Sequence, residues 1–124
     1  MITVKDMMAT ANAAVPRLSV DEAKAMMASG DVLVLDVRDA PELTANGKIK
    51  GSVHVPRGML EFRADPATPY HNEAFQKDKP VLVYCASGGR SALSGKLLQD
   101  MGYTKVFNIG GFKDFADGGG PVES

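Results

Sequence analysis

The chain lacks a second cysteine, has no tryptophan, and contains no apolar run approaching the 18 or more residues of a membrane span. One cysteine cannot close an internal disulfide, form a CxxC redox pair or build a Cys-rich zinc site. A thiol working alone is what remains. An excess of charge of either sign is missing too: 14 basic residues face 15 acidic ones, with a sequence pI near 6.1. That balance offers no large field to attract nucleic acid or an anionic membrane surface. The N-terminus, Met1-Ile2-Thr3-Val4-Lys5-Asp6, lacks the charged and apolar regions of a signal peptide. Together with the unpaired thiol, this predicts a soluble protein of the reducing cytoplasm.

At 124 residues the chain reads as one domain, large enough to fold around a core without covalent staples. Thr3 is a helix cap, and the stretch to Val15, closed by Pro16, reads as a short first helix. Ser19-Val20-Asp21-Glu22 matches a capping box and starts a second helix that stops at Gly30. Met26 and Met27 on its apolar face read as core filler. Val32-Leu33-Val34-Leu35 is apolar without alternation, as in a parallel strand buried on both faces. Asp39 then caps a helical turn that Asn46-Gly47 ends. Ser52 to Val55 reads as a short strand and Gly58 to Arg63 as a helical turn. The segment from Asp65 to Lys79 reads as an irregular connection.

Val81-Leu82-Val83-Tyr84 is the next strand, followed by Cys85-Ala86-Ser87-Gly88-Gly89-Arg90-Ser91 and a helix from about Ser91 to Met101. Tyr103 to Ile109 leads into another strand, so the unit is βαβ with a right-handed crossover. Gly110-Gly111 opens a last short helix containing Phe112 and Phe115, and Gly118 to Gly120 is expected to release a frayed tail. The fold class is therefore α/β: an open, mainly parallel sheet with helices on both faces. In such sheets ligands bind outside the carboxyl ends of the strands, where Cys85, Asp36 and the loop after Val55 all fall.

A cysteine closing an apolar strand is commonly just a small buried hydrophobe. The residues that follow Cys85 are not core material. Two glycines and a serine demand a tight backbone or a close approach, and an arginine comes next. A strand, a Gly-rich turn and a helix start aim several N–H groups at one point and add positive potential there. Cys85 is accordingly the candidate nucleophile, with Ala86, Ser87, Gly88, Gly89 and Arg90 as its anion seat. Asp36, Arg38, Ser91 and Arg57 are candidate supporting residues. Asp36 is expected to brace the loop, and Arg90 either to contact substrate or to turn back toward Asp36 or a carbonyl. His54 and His71 have no spaced partner for a metal site or a Cys–His dyad, Arg57 and Arg63 read as a solvated rim, and no cofactor is expected.

These pieces together resemble the rhodanese-like, single-domain sulfurtransferase family. They are Asp36-Val37-Arg38 after a strand, Gly47-Lys48-Ile49-Lys50-Gly51-Ser52, the Cys85 loop, and Asn108-Ile109-Gly110-Gly111-Phe112. The resemblance covers residues 17–122 and leaves residues 1–16 as a helical extension. It implies the rhodanese fold and a persulfide on Cys85, its outer sulfur taken from a small anionic donor such as thiosulfate and passed to cyanide or a thiol, protein thiols included. Lys48 stands where the family often has histidine, and Phe112 and Phe115 where tryptophan often follows the final glycines. Arg90 is the only basic residue of the loop. Two other readings remain open: a non-catalytic sulfur-carrier or interaction module, and a cysteine phosphatase or arsenate reductase. The phosphatase loop has five residues between Cys and Arg, whereas this one has four.

Overall fold

A computed structural model describes residues 1–124. Helices α1 (Val4–Ala14) and α2 (Val20–Ser29) both begin with capping boxes, from Thr3 with Asp6 and from Ser19 with Glu22. These reciprocal bonds satisfy N–H groups that a helix start leaves open. Strand β1 (Leu33–Asp36) leads to α3 (Ala40–Asn46), β2 (Lys48–Ile49) and β3 (Val53–His54). A 3-10 turn at Arg57–Met59 runs into α4 (Leu60–Ala64), and residues 65–80 form turns without further helix or strand. Strand β4 (Val81–Cys85), α5 (Gly89–Asp100), β5 (Val106–Gly111), α6 (Phe112–Asp117) and β6 (Val122–Glu123) complete the chain.

Four parallel strands form the main sheet in the order β3-β1-β4-β5. Its central strands are buried on both faces, and strand alternation sorts their side chains between two cores. Leu33, Leu35, Val37, Val81, Val83 and Cys85 join Val15, Leu60 and Leu98 on one side. Val34, Leu82 and Tyr84 join Ala23, Ile49, Ile109 and Phe115 on the other. Burying these two apolar layers supplies the main driving force for the fold. No helix is long and apolar enough to cross a membrane.

Two pairings have no counterpart in the sequence pattern. Residues 16–18 lie along the free edge of β5: Leu18 N–H donates to Asn108 O at 3.1 Å, and Asn108 N–H to Pro16 O at 2.9 Å. The tail after Gly120 is not frayed. β6 pairs antiparallel with β2, Lys50 N–H donates to Pro121 O at 3.0 Å, and Lys48 lies 3.4 Å from Glu123. Two-residue strands far apart in sequence carry no periodicity, so their pairing appears only in three dimensions.

The first helix is fastened to the domain. Val15 belongs to the larger core, a methyl on Gly95 of α5 would stand 3.0 Å from its Cγ1, and Gln99 Nε2 donates to Ala14 O at 2.9 Å.

Candidate active site

Cys85 ends β4 at the carboxyl edge of the sheet, and α5 begins four residues later. Gly88 makes this short connection possible. Its φ of +105° suits glycine, and it turns the chain back so that its N–H donates to Cys85 Sγ at 3.0 Å. The sulfur sits on the floor of the loop. Cys85 is 1% exposed, while Ala86 and Ser87 form an outer wall open to solvent. Burial pushes the thiol pKa up, but hydrogen bonding from Ser91 and from the N–H groups of Ser91, Ser87 and Gly88 outweighs it. The net direction is down, toward the thiolate.

Ser91 Oγ stands 3.5 Å from Sγ and donates its hydroxyl hydrogen to Asn108 Oδ1 at 2.8 Å. One hydroxyl has one hydrogen, so it serves either Asn108 or a thiolate at a given moment. Asn108 tolerates the exchange, because its Oδ1 also accepts from Gly110 N–H at 2.9 Å. Its Nδ2 donates to Gly88 O at 3.1 Å, which ties the loop to β5. Asn108 thus holds both the loop and the serine beside the sulfur. In sequence it stands out only as the first residue of a glycine-containing stretch, with no pattern to mark its contacts.

Arg90 does not lie against Asp36 or a carbonyl. Its guanidinium makes a two-point pair with Glu42 of α3, Nη1 to Oε2 at 2.7 Å and Nη2 to Oε1 at 2.8 Å. Hydrogen bonding to Arg90 holds the Glu42 carboxyl down at about 2. The same bonding raises the Arg90 pKa further. Asp36 does not reach the loop either. It is paired with Tyr84 across the sheet, and alternation turns both side chains to the face opposite Cys85. There the Asp36 carboxylate accepts from Arg38 Nε at 3.0 Å and Nη2 at 2.7 Å, and from Tyr84 Oη at 2.7 Å. Arg38 Nη2 also donates to Gly47 O at 2.8 Å. The Arg38 guanidinium lies 4.6 Å from the Phe112 ring centre and 5.5 Å from that of Tyr84. A buried ion pair satisfied in this way is a structural brace.

Arg57 pairs with Glu61 at 3.2 Å and borders a groove between α1 and α5. His54 Nε2 lies 2.6 Å from Arg38 O, so its ring is engaged away from the sulfur. Beside the loop opens a cleft of about 380 Å³, lined by Arg38, Glu42, Asn46, Ala86, Phe112 and Lys113 among others. A thiol held toward its ionised form beneath inward-facing N–H groups can attack an electrophilic atom and stabilise the anion that forms.

Residues 19–117 match the model of the rhodanese-like domain. The chain belongs to that family. The rhodanese-like domain is similar to thiosulfate sulfurtransferase PspE of Escherichia coli (strain K12), with 35% identity over 82 residues, 66% of this chain and 72% of the relative. It is 29% identical to human thiosulfate:glutathione sulfurtransferase over 105 residues, 80% of this chain and 90% of that protein. A solved structure from Rhodopseudomonas palustris CGA009, described as a protein of unknown function and possible tyrosine phosphatase, is 44% identical. It superposes with a TM-score of 0.93 over 99% of this chain and 96% of its own. The parallel sheet flanked by helices is the rhodanese fold, as the residues resembling that family imply.

Proposed function

We propose that this rhodanese-like domain is a sulfurtransferase that carries one sulfane sulfur as a persulfide on Cys85. The observation that carries the reading is the 3.0 Å bond from Gly88 N–H to Sγ, inside a loop at the carboxyl edge of the sheet. In the first step the thiolate attacks the outer sulfur of a donor such as thiosulfate. A Cys85 S–S bond forms, the donor's own S–S bond breaks, and sulfite leaves with the bonding pair. In the second step a nucleophilic acceptor, cyanide or a thiolate, attacks the outer sulfur of the persulfide, and the Cys85 thiolate departs. Each step is a displacement with no oxidant or cofactor, giving ping-pong kinetics. The thiosulfate sulfurtransferases among the relatives support this donor class.

The N–H groups around Sγ favour the thiolate at both ends of the cycle. The lone thiol suits a reducing compartment such as the cytoplasm. Phosphatase chemistry has less support: four residues rather than five separate Cys85 from Arg90, and Arg90 is engaged by Glu42.

Intact-mass measurement after incubation with thiosulfate tests the proposal. One added sulfur atom in the wild type, absent in Cys85→Ser, is the expected result. Failure to take up sulfur from thiosulfate, from mercaptopyruvate and from low-molecular-weight persulfides would overturn it.

A further inference from the structure

Of the five arginines, Arg38, Arg57 and Arg90 are each paired with a carboxylate. Arg17 has no carboxylate within ion-pair distance and no hydrogen bond from its guanidinium to another residue. It is exposed, and its backbone is fixed. The hydrogen bonds on either side of it, Leu18 N–H to Asn108 O and Asn108 N–H to Pro16 O, hold its backbone beside the residue that organises the loop.

Its guanidinium lies over two glycines. A methyl built on Gly110 would stand 2.3 Å from Arg17 Nη2, and one on Gly88 would stand 3.4 Å from Nη1. Gly88 is also the residue whose N–H bonds Sγ. Given standard backbone dimensions, the Arg17 guanidinium is within about 9 Å of the sulfur. An extended oxyanion donor spans a distance of that order. Its outer sulfur in attack range stands about 3–3.5 Å from Sγ, its oxidised sulfur lies about 2 Å beyond across the S–S bond, and a charge-assisted bond spans about 2.8 Å from an oxygen.

We propose that Arg17 is the donor-recognition cation of this site, binding the oxygens of an oxyanion sulfane donor above the loop. Arg90, the one basic residue of the loop itself, instead holds the loop to α3. The assignment deepens the sulfurtransferase reading and rests on it for the identity of the donor. It accounts for a loop with a single, already neutralised arginine: the second cation comes from the connection between α1 and α2.

The test compares alkylation of Cys85 by iodoacetate, an anion, and iodoacetamide, its neutral analogue, in wild type, Arg17→Gln and Arg17→Lys. Saturation of persulfide formation by thiosulfate is measured on the same proteins. Arg17→Gln should lower the iodoacetate-to-iodoacetamide rate ratio roughly fivefold, the scale of one charge-assisted contact at a solvent-accessible position. It should also raise the KM for thiosulfate while kcat changes less, and Arg17→Lys should retain most of both properties. An unchanged ratio in Arg17→Gln, or equal slowing with both reagents, would overturn the proposal, since a purely structural role alters both reagents alike. A reduced ratio in a protein whose wild type takes sulfur from no donor would uphold the anion seat and overturn the sulfurtransferase reading alone.

Discussion

Arg90 and Glu42 face each other with two parallel hydrogen bonds of 2.7 and 2.8 Å, joining the start of α5 to α3. The pair fastens the active loop at its helical end. Because the Glu42 carboxyl titrates at about 2 when folded, against about 4.3 when unfolded, its contribution to stability is complete above the unfolded value. It is lost as pH falls through the folded one. Acid unfolding of Glu42→Gln should therefore be less steep between about pH 5 and 2, with a loss at neutral pH of about 1 kcal/mol or less for this partly exposed pair. Urea titrations across that range measure both.

Alkylation of Cys85 followed against pH should reach half its maximum below the ordinary thiol value of about 8.5. Ser91→Ala should move the midpoint up by roughly half to one unit, as expected for one hydrogen bond to sulfur. Asn108→Ala should move it less than Ser91→Ala, because losing the bond to Gly88 O loosens the loop while the freed Ser91 hydroxyl hydrogen turns to the thiolate. The depressed folded-state value means that Cys85 ionisation favours the fold above the unfolded thiol pKa. That contribution disappears as pH falls through the folded value.

Tyr84→Phe removes a hydroxyl that donates to Asp36 at 2.7 Å, accepts from Ile49 N–H at 3.0 Å and meets Ser52 Oγ at 3.1 Å. Burial drives the Tyr84 pKa up to about 12, so the group is a neutral donor throughout the useful range. Leaving the buried Ile49 N–H unsatisfied should cost about 2 kcal/mol, a fall in Tm of roughly 6–8 °C by calorimetry. The shift of the thiol midpoint should be small, since this network occupies the other face of the sheet.

Gly111→Ala should disturb the active loop directly. Its methyl would stand 2.5 Å from Ala86 O and 3.2 Å from Ser87 Cα, both backbone atoms that cannot rotate away. The expected results are a loss of about 1–3 kcal/mol by denaturant titration and an upward thiol midpoint as the N–H groups leave Sγ. Gly58→Ala, where a methyl meets nothing within 4 Å, is the control for which neither quantity should move.

Where a segment's neighbours in sequence were also its neighbours in space, the fold was legible. The apolar run of β4, the loop glycines and the start of α5 lie within one continuous stretch, and the Thr3 cap of α1 and the capping box of α2 are local by construction. Contacts set by register were not legible. Asp36 and Cys85 both close strands, but the pairing of Asp36 with Tyr84 decides that they face apart. Arg90 meets Glu42 because α3 lies over the start of α5, a relation that no periodicity records. Arg17 precedes a capping box and carries no motif of its own. Its relation to the loop depends on the edge pairing with Asn108.

The burial of Cys85 to 1% exposure makes the cargo a handle as well as a load. In the proposed persulfide the transferable atom stands about 2 Å beyond Sγ, the length of an S–S bond. On that proposal the charged protein would present its sulfur nearer the mouth of the loop than the discharged protein presents its thiol. An acceptor too bulky to touch the bare thiol can still collect the outer sulfur. After delivery the transferable atom is gone and the buried Sγ is again the reactive atom, which on the same proposal would shield the discharged form from large electrophiles and disulfides.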